Sequence, residues 1–295
     1  MKIRLANAPV SWGIMEIGGR SPPLPYATFL DELKSAGYVA TELGPYGYLP
    51  TEPDVIRLEL GRRSLCMTGA FVPLRLKERG ASLDEVREVG KLLSALHVRH
   101  LILADQLWPE REAIAGRVEE NGLGLSAGEW RIAADNLKAA CDVAADLGLR
   151  PVFHHHVGTY IESPTEIARL LDSTGVSLCL DTGHYVYGGG DPLEAIEIFG
   201  SRLEYLHFKD VDSDRLALVR REKRDFGDGI SAGVFCPLGR GCVRFPALLE
   251  KLGDLHFDGW VVVEQDVDTR NETAPKPLES ARASREYLRK IMQPN

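Results

Sequence analysis

Two hydrophobic periods alternate along this chain. Short runs of β-branched and aliphatic residues near 2–9, 39–43, 64–71, 99–104, 150–154, 176–181, 203–209 and 260–264 read as eight strands. Between them lie longer stretches with helical spacing. The stretch 25–37 closes on Gly37 and the alanine-rich stretch 133–148 closes on Gly148, glycines placed to end a helix. Ser163-Pro-Thr-Glu166 opens another, with a serine cap, proline at the first position and glutamate at the third. Strand and helix in strict alternation predict repeated βα units around a parallel sheet, and eight of them predict a closed (β/α)8 TIM barrel.

Chain length fits that reading: 295 residues exceed the roughly 250 a TIM barrel needs. No linker-like or low-complexity tract interrupts the series, so residues 1–295 are expected to form one barrel domain. Two longer stretches, 105–126 and 211–241, follow strands and are expected as inserted loops on the face where barrel sites form. A dinucleotide-binding fold is the weaker alternative, because the glycines at 188–190 lack the GxGxxG spacing.

A net charge of -8 argues against a nucleic-acid partner, since phosphate backbones select basic surfaces. No apolar window is long enough to span a bilayer or to serve as a secretory signal, which predicts a soluble cytoplasmic protein with no membrane partner. Five cysteines without a CxxC pair are expected to be reduced thiols.

Chemistry gathers where the predicted strands end. In order, those ends carry Asn7, Glu42, the Asp105 region, His154 to His156, Asp181, His207 with Lys209, and Glu264. Burying several charged or imidazole groups at one depth of a barrel is costly unless they pair or bind a cation. Any one of them has a plainer explanation. A strand-end histidine can be a hydrogen-bonded core residue, Asp181-Thr-Gly-His184 can be a turn, and Lys209 can pair with Asp210 at the surface. Four such sites on consecutive strands favour a metal: Asp181, His207, Glu264 and one histidine of the fifth strand, either His154 or His156. This nitrogen and oxygen set suits Mn²⁺, Co²⁺, Zn²⁺ or Fe²⁺.

At these residues the chain resembles the xylose-isomerase-like TIM-barrel superfamily, and within it the inosose dehydratases of myo-inositol catabolism. The likeness runs through NAPVSWG at 7–13, TELGPYGYLP at 41–50, HHHVGT at 154–159, LDTGH at 180–184, HFKD at 207–210, GVFCPLGRG at 233–241 and VVVEQD at 261–266. The resemblance implies metal ligation at the fifth-strand end, at His154 or else His156, and at Asp181, His207 and Glu264, with Mn²⁺ or Co²⁺ expected. Many epimerases of the superfamily carry glutamate at the fifth-strand position, where this chain has His154. That exchange disfavours a two-glutamate epimerase and favours a lyase.

The implied reaction is dehydration of 2-keto-myo-inositol by removal of a proton alpha to the ketone and loss of a β-hydroxyl as water. Lys209 or His184 is expected as base or acid, with the lysine pKa lowered by the nearby cation, and His156 is expected to assist the leaving hydroxyl. Asn7, Trp12, Glu42, Tyr46 and Arg240 are expected to contact the polyol. A ketose epimerase or aldose–ketose isomerase is the runner-up. An apurinic-site endonuclease conflicts with the acidic charge, and a non-catalytic sugar-binding barrel conflicts with the intact ligand positions. Barrels of this kind often associate, so a homo-oligomer is also expected.

Overall fold

The computed structural model describes residues 2–15, 24–270 and 276–293. Eleven strands occur among them: β1 Lys2–Asn7, β2 Ala40–Thr41, β3 Cys66–Met67, β4 Gly69–Leu74, β5 His100–Asp105, β6 Arg150–His154, β7 Ser177–Asp181, β8 Leu203–Phe208, β9 Asp210–Val211, β10 Phe235–Cys236 and β11 Asp258–Val263. Nine form one parallel sheet in the order β3-β2-β1-β11-β8-β7-β6-β5-β4. Only Thr68 separates β3 from β4, and its N–H bonds Thr41 O at 2.9 Å. Counted as one interrupted strand, β3 and β4 close a ring of eight, the expected TIM barrel. The expected strand at 64–71 is thus broken once and runs on to Leu74.

Strand alternation divides the apolar residues between two cores. Residues facing the helices join a large shell that includes Leu101, Leu103, Phe153, Leu178, Leu206, Phe208 and Val261. Residues facing inward, among them Ala6, Ala40, Ile102, Val152, Cys179, Tyr205 and Val262, pack against one another inside the ring. Tyr205 spans this interior and donates its hydroxyl to Thr68 Oγ1 at 2.8 Å. The interior is therefore filled, and any ligand must bind above it.

Helix boundaries follow local chemistry. Ser163 accepts from Glu166 N–H while Glu166 returns to the Ser163 N–H, the reciprocal cap expected from the sequence. The alanine-rich helix starts earlier than its apolar spacing suggested, at Ala127, because Ser126 and Glu129 form a second such cap.

Both expected insertions sit at the mouth. The first, after β5, holds short helices Pro109–Glu112 and Val118–Asn121. It is tied down by fully buried Arg111, whose guanidinium donates two bonds to Glu166 at 2.9 and 2.8 Å. The second contains helices Ser213–Arg221 and Phe226–Ser231 and the antiparallel pair β9–β10. Among the described residues no helix is long and apolar enough to cross a membrane.

Candidate metal centre and catalytic cleft

Two residues beyond each inward-facing apolar residue, the strands turn polar. Val152 is followed by His154, Cys179 by Asp181, Tyr205 by His207 and Val262 by Glu264. Period-two alternation puts these four on the inner face, one layer above the packed interior. All four are buried, and one donor atom from each lies within 4.8 Å of the others. His154 Nε2 is 3.6 Å from Asp181 Oδ2, and His207 Nδ1 is 3.3 Å from Glu264 Oε2 and 3.8 Å from Asp181 Oδ2.

This arrangement fits a divalent cation. Asp181 Oδ2 and His207 Nδ1 are buried without a hydrogen bond, and each faces the centre of the set. Buried polar atoms need a partner, and two nitrogens with two carboxylate oxygens suit a metal of borderline hardness. The other ring nitrogen of His207, Nε2, lies 2.9 Å from Glu42 Oε1. Glu42 therefore fixes the imidazole so that Nδ1 points inward, the usual task of a carboxylate behind a metal-binding histidine. It was expected to meet substrate; it lines the cleft but spends one oxygen on His207.

The LDTGH and HFKD segments build one unit. Asp181 Oδ1 caps the helix Thr182–Tyr187 by accepting from His184 N–H at 2.7 Å, which leaves Oδ2 for the centre. Thr182 Oγ1 donates to Lys209 O at 2.7 Å and accepts from Lys209 N–H at 2.9 Å, locking β8 to this turn. Gly183 gives Lys209 room: a Cβ there would stand 2.6 Å from Lys209 Cγ. Asp210 does not pair with Lys209. Its carboxylate accepts from the N–H groups of Gly239, Gly241 and Val243 at 2.8 to 3.0 Å and so braces the GVFCPLGRG loop.

Lys209 is buried, with Nζ 3.3 Å from Asp181 Oδ2, 3.2 Å from Glu264 Oε2, 2.8 Å from Asp266 Oδ1 and 2.9 Å from His184 Nε2. Burial works against its charge, but Asp181, Asp266 and Glu264 outweigh burial and raise the pKa. The residue is an ammonium. The expected lowering was argued from a bound cation; the three carboxylates around Nζ act in the opposite direction. Burial likewise raises Glu264, but the charges of His207 and Lys209 overcome it and hold the carboxyl at about 2. Burial dominates at His184 and His156, which stay neutral.

The three histidines of the HHH run part ways. His154 faces the metal set, while His155 turns outward, where its Nε2 accepts from Asp181 N–H at 3.3 Å and burial pushes its pKa down to about 3. His156 stands beside His184, ring centroids 3.8 Å apart, and Asp266 Oδ2 lies 3.6 Å from His184 Nε2. Above them opens a narrow cleft. Its polar wall is Glu42, His154, His156, His184, His207, Lys209, Glu264 and Asp266; its apolar wall includes Phe71 and, from the second insertion, Phe226 and Ile230.

Four expected substrate contacts lie elsewhere. Asn7 faces outward from β1 and accepts from Ala8 N–H. Trp12 ends the helical turn Pro9–Trp12 and is buried edge-on against Phe29, its Nε1 donating to Glu32 at 2.7 Å. Tyr46 and Arg240 are exposed and outside the cleft lining. Asp105, at the end of β5, is a brace that accepts from Leu76 N–H, Tyr160 N–H and Trp108 Nε1. Asp266, Phe226 and Ile230 were missed. For Asp266 the signal was present, since it stands two residues beyond Glu264 on the same inward register.

Comparison with known proteins agrees with the barrel fold. The family described as xylose isomerase-like TIM barrel matches residues 30–291. An inosose dehydratase of Geobacillus kaustophilus is 30% identical over 98% of this chain and 94% of its own. A rhizopine catabolism protein of Rhizobium meliloti is 31% identical over 99% of this chain and 89% of its own. Among solved structures, the IOLI protein with a bound zinc atom superposes with a TM-score of 0.70 at 14% identity, covering 98% of this chain and 97% of its own. The chain belongs to the xylose isomerase-like TIM-barrel family, on its inosose dehydratase branch.

Proposed function

We propose that this protein is a metal-dependent hydro-lyase that dehydrates a keto-cyclitol, 2-keto-myo-inositol, with Mn²⁺ or Co²⁺ as its metal. One observation carries the reading: a buried His-Asp-His-Glu set shares a cleft with a charged lysine and two neutral histidines. An inosose dehydratase among the relatives supports the choice of substrate.

His154, Asp181, His207 and Glu264 would hold the ion, which when bound would supply a Lewis acid for the ketone oxygen and so acidify the neighbouring carbon. His184, kept neutral by burial, takes the carbon-bound proton. The Lys209 ammonium donates hydrogen bonds to the oxygen on which negative charge develops, and the carboxylates around it keep that donor in place. His156, whose ring lies against that of His184 and whose Nε2 is unprotonated, receives that proton from His184 and passes it to the departing β-hydroxyl, which leaves as water. Phe226 and Ile230 keep bulk solvent away from the carbon being deprotonated.

The test is to incubate metal-analysed protein with 2-keto-myo-inositol and Mn²⁺ or Co²⁺, with and without chelator, and to follow product mass. Loss of one water only when metal is present supports the dehydratase. Unchanged mass with altered stereochemistry at carbon transfers the site to an epimerase.

A further inference from the structure

Beside the first set lies a second cluster of potential ligands, His156, His184 and Asp266, whose donor atoms also fall within 4.8 Å of one another. His156 Nδ1 is 2.7 Å from Val157 O, so it carries the proton of that bond and leaves Nε2 with a free lone pair. His184 Nε2 faces the cleft 2.9 Å from Lys209 Nζ, while its Nδ1 lies 3.4 Å from Val157 N on the far side of the ring. Asp266 is buried and spends Oδ1 on the same ammonium at 2.8 Å. Two imidazole nitrogens and a carboxylate make a second mixed donor set, occupied from within by the Nζ of Lys209.

We propose that this cluster is a latent second divalent-cation site and that the Lys209 ammonium, standing in it as an internal cation, limits the protein to one metal. The proposal rests on the first-site reading given above. Lys209 touches both sets, within 3.3 Å of Asp181 and Glu264 on one side and within 2.9 Å of His184 and Asp266 on the other. Glu42, Glu264 and Asp266 line the cleft, Asp181 adjoins it 3.3 Å from Lys209 Nζ, and Lys209 is the sole lysine or arginine among the described residues lining it. One divalent ion and one ammonium nearly balance that charge. Removing the ammonium leaves a deficit that a second ion can fill, because the donors stay in place and lose only their competitor.

The experiment is metal stoichiometry of Lys209→Ala at pH 8, by elemental analysis after equilibration with Co²⁺ or Zn²⁺ and gel filtration. Wild type is expected to hold one equivalent and Lys209→Ala two. The double variant Lys209→Ala/Asp266→Asn is expected to return to one, which separates the cluster from adventitious surface binding. A folded Lys209→Ala that still holds one equivalent overturns the proposal. So does a second equivalent that survives Asp266→Asn. Wild type holding none overturns the first-site reading instead, and the two failures are thus distinguishable. If Lys209→Ala does not fold, Lys209→Met carries the same comparison, since it keeps the packing length and removes the charge.

Discussion

Consider the barrel interior and the layer above it, built from the same strands two residues apart. Below are Val152, Cys179, Tyr205 and Val262; above are His154, Asp181, His207 and Glu264. Both layers are buried and both point inward, yet the lower one satisfies itself by contact and the upper one leaves polar atoms unpaired. One strand register thus carries stability at one depth and chemistry at the next, and the step between them is a single alternation. A substitution should therefore change either stability or chemistry according to its layer, and seldom both.

Lys209 gives the largest contrast. Lys209→Met should lower turnover by about 10²–10³-fold, the usual cost of removing a donor aimed at a developing oxyanion, while the protein stays folded and keeps its first metal. Steady-state rates alongside metal content check this, and unchanged turnover would remove the lysine from the reaction. Glu42 acts one step back. Glu42→Gln should weaken metal affinity by about 10–100-fold through loss of the carboxylate behind His207, measured by competition with a chelator. An unchanged affinity would return Glu42 to the substrate-contact role.

The lower layer should answer differently. Ile102→Val should cost about 0.5–1.5 kcal/mol of unfolding free energy and leave metal affinity untouched. A large loss of metal from that variant would show that the two layers are coupled. The smallest effect concerns the loop that follows β6. Buried Glu162 clasps Gly116 N–H and Gly158 N–H at 2.6 and 2.7 Å, and burial pushes its pKa up from 4.5 to about 7. The folded state therefore holds this proton more tightly than the unfolded chain. Its contribution is least unfavourable below pH 4.5, and stability falls as pH rises from there to about 7. Unfolding curves at pH 5 and 7.5 should show that slope in wild type and a shallower one in Glu162→Gln.

Much of the upper layer was legible because each ligand ends an apolar run, and a period of two needs no tertiary information. The ring of strands was legible for the same reason. What escaped was whatever depends on packing across strands. Glu42 reads as an isolated strand-end acid, and only the fold brings it to His207, 165 positions away. Trp12 and Tyr46 sit in motifs rich in glycine and proline, where side-chain direction follows turn geometry, and both turned away from the cleft. Asn7 was misplaced by one residue of register, since Ala6 and Ala8 take the inward face of β1. The three carboxylates around Lys209 come from two segments, Asp181 at the end of β7 and Glu264 with Asp266 after β11, and their combined field is invisible one segment at a time.

The most direct measurement is anomalous diffraction at the Mn or Co absorption edge from crystals equilibrated with that ion. The layered arrangement predicts one peak within about 2.0–2.2 Å of His154 Nε2, Asp181 Oδ2, His207 Nδ1 and Glu264 Oε2. A peak elsewhere in the cleft, or none at saturating metal, would contradict it.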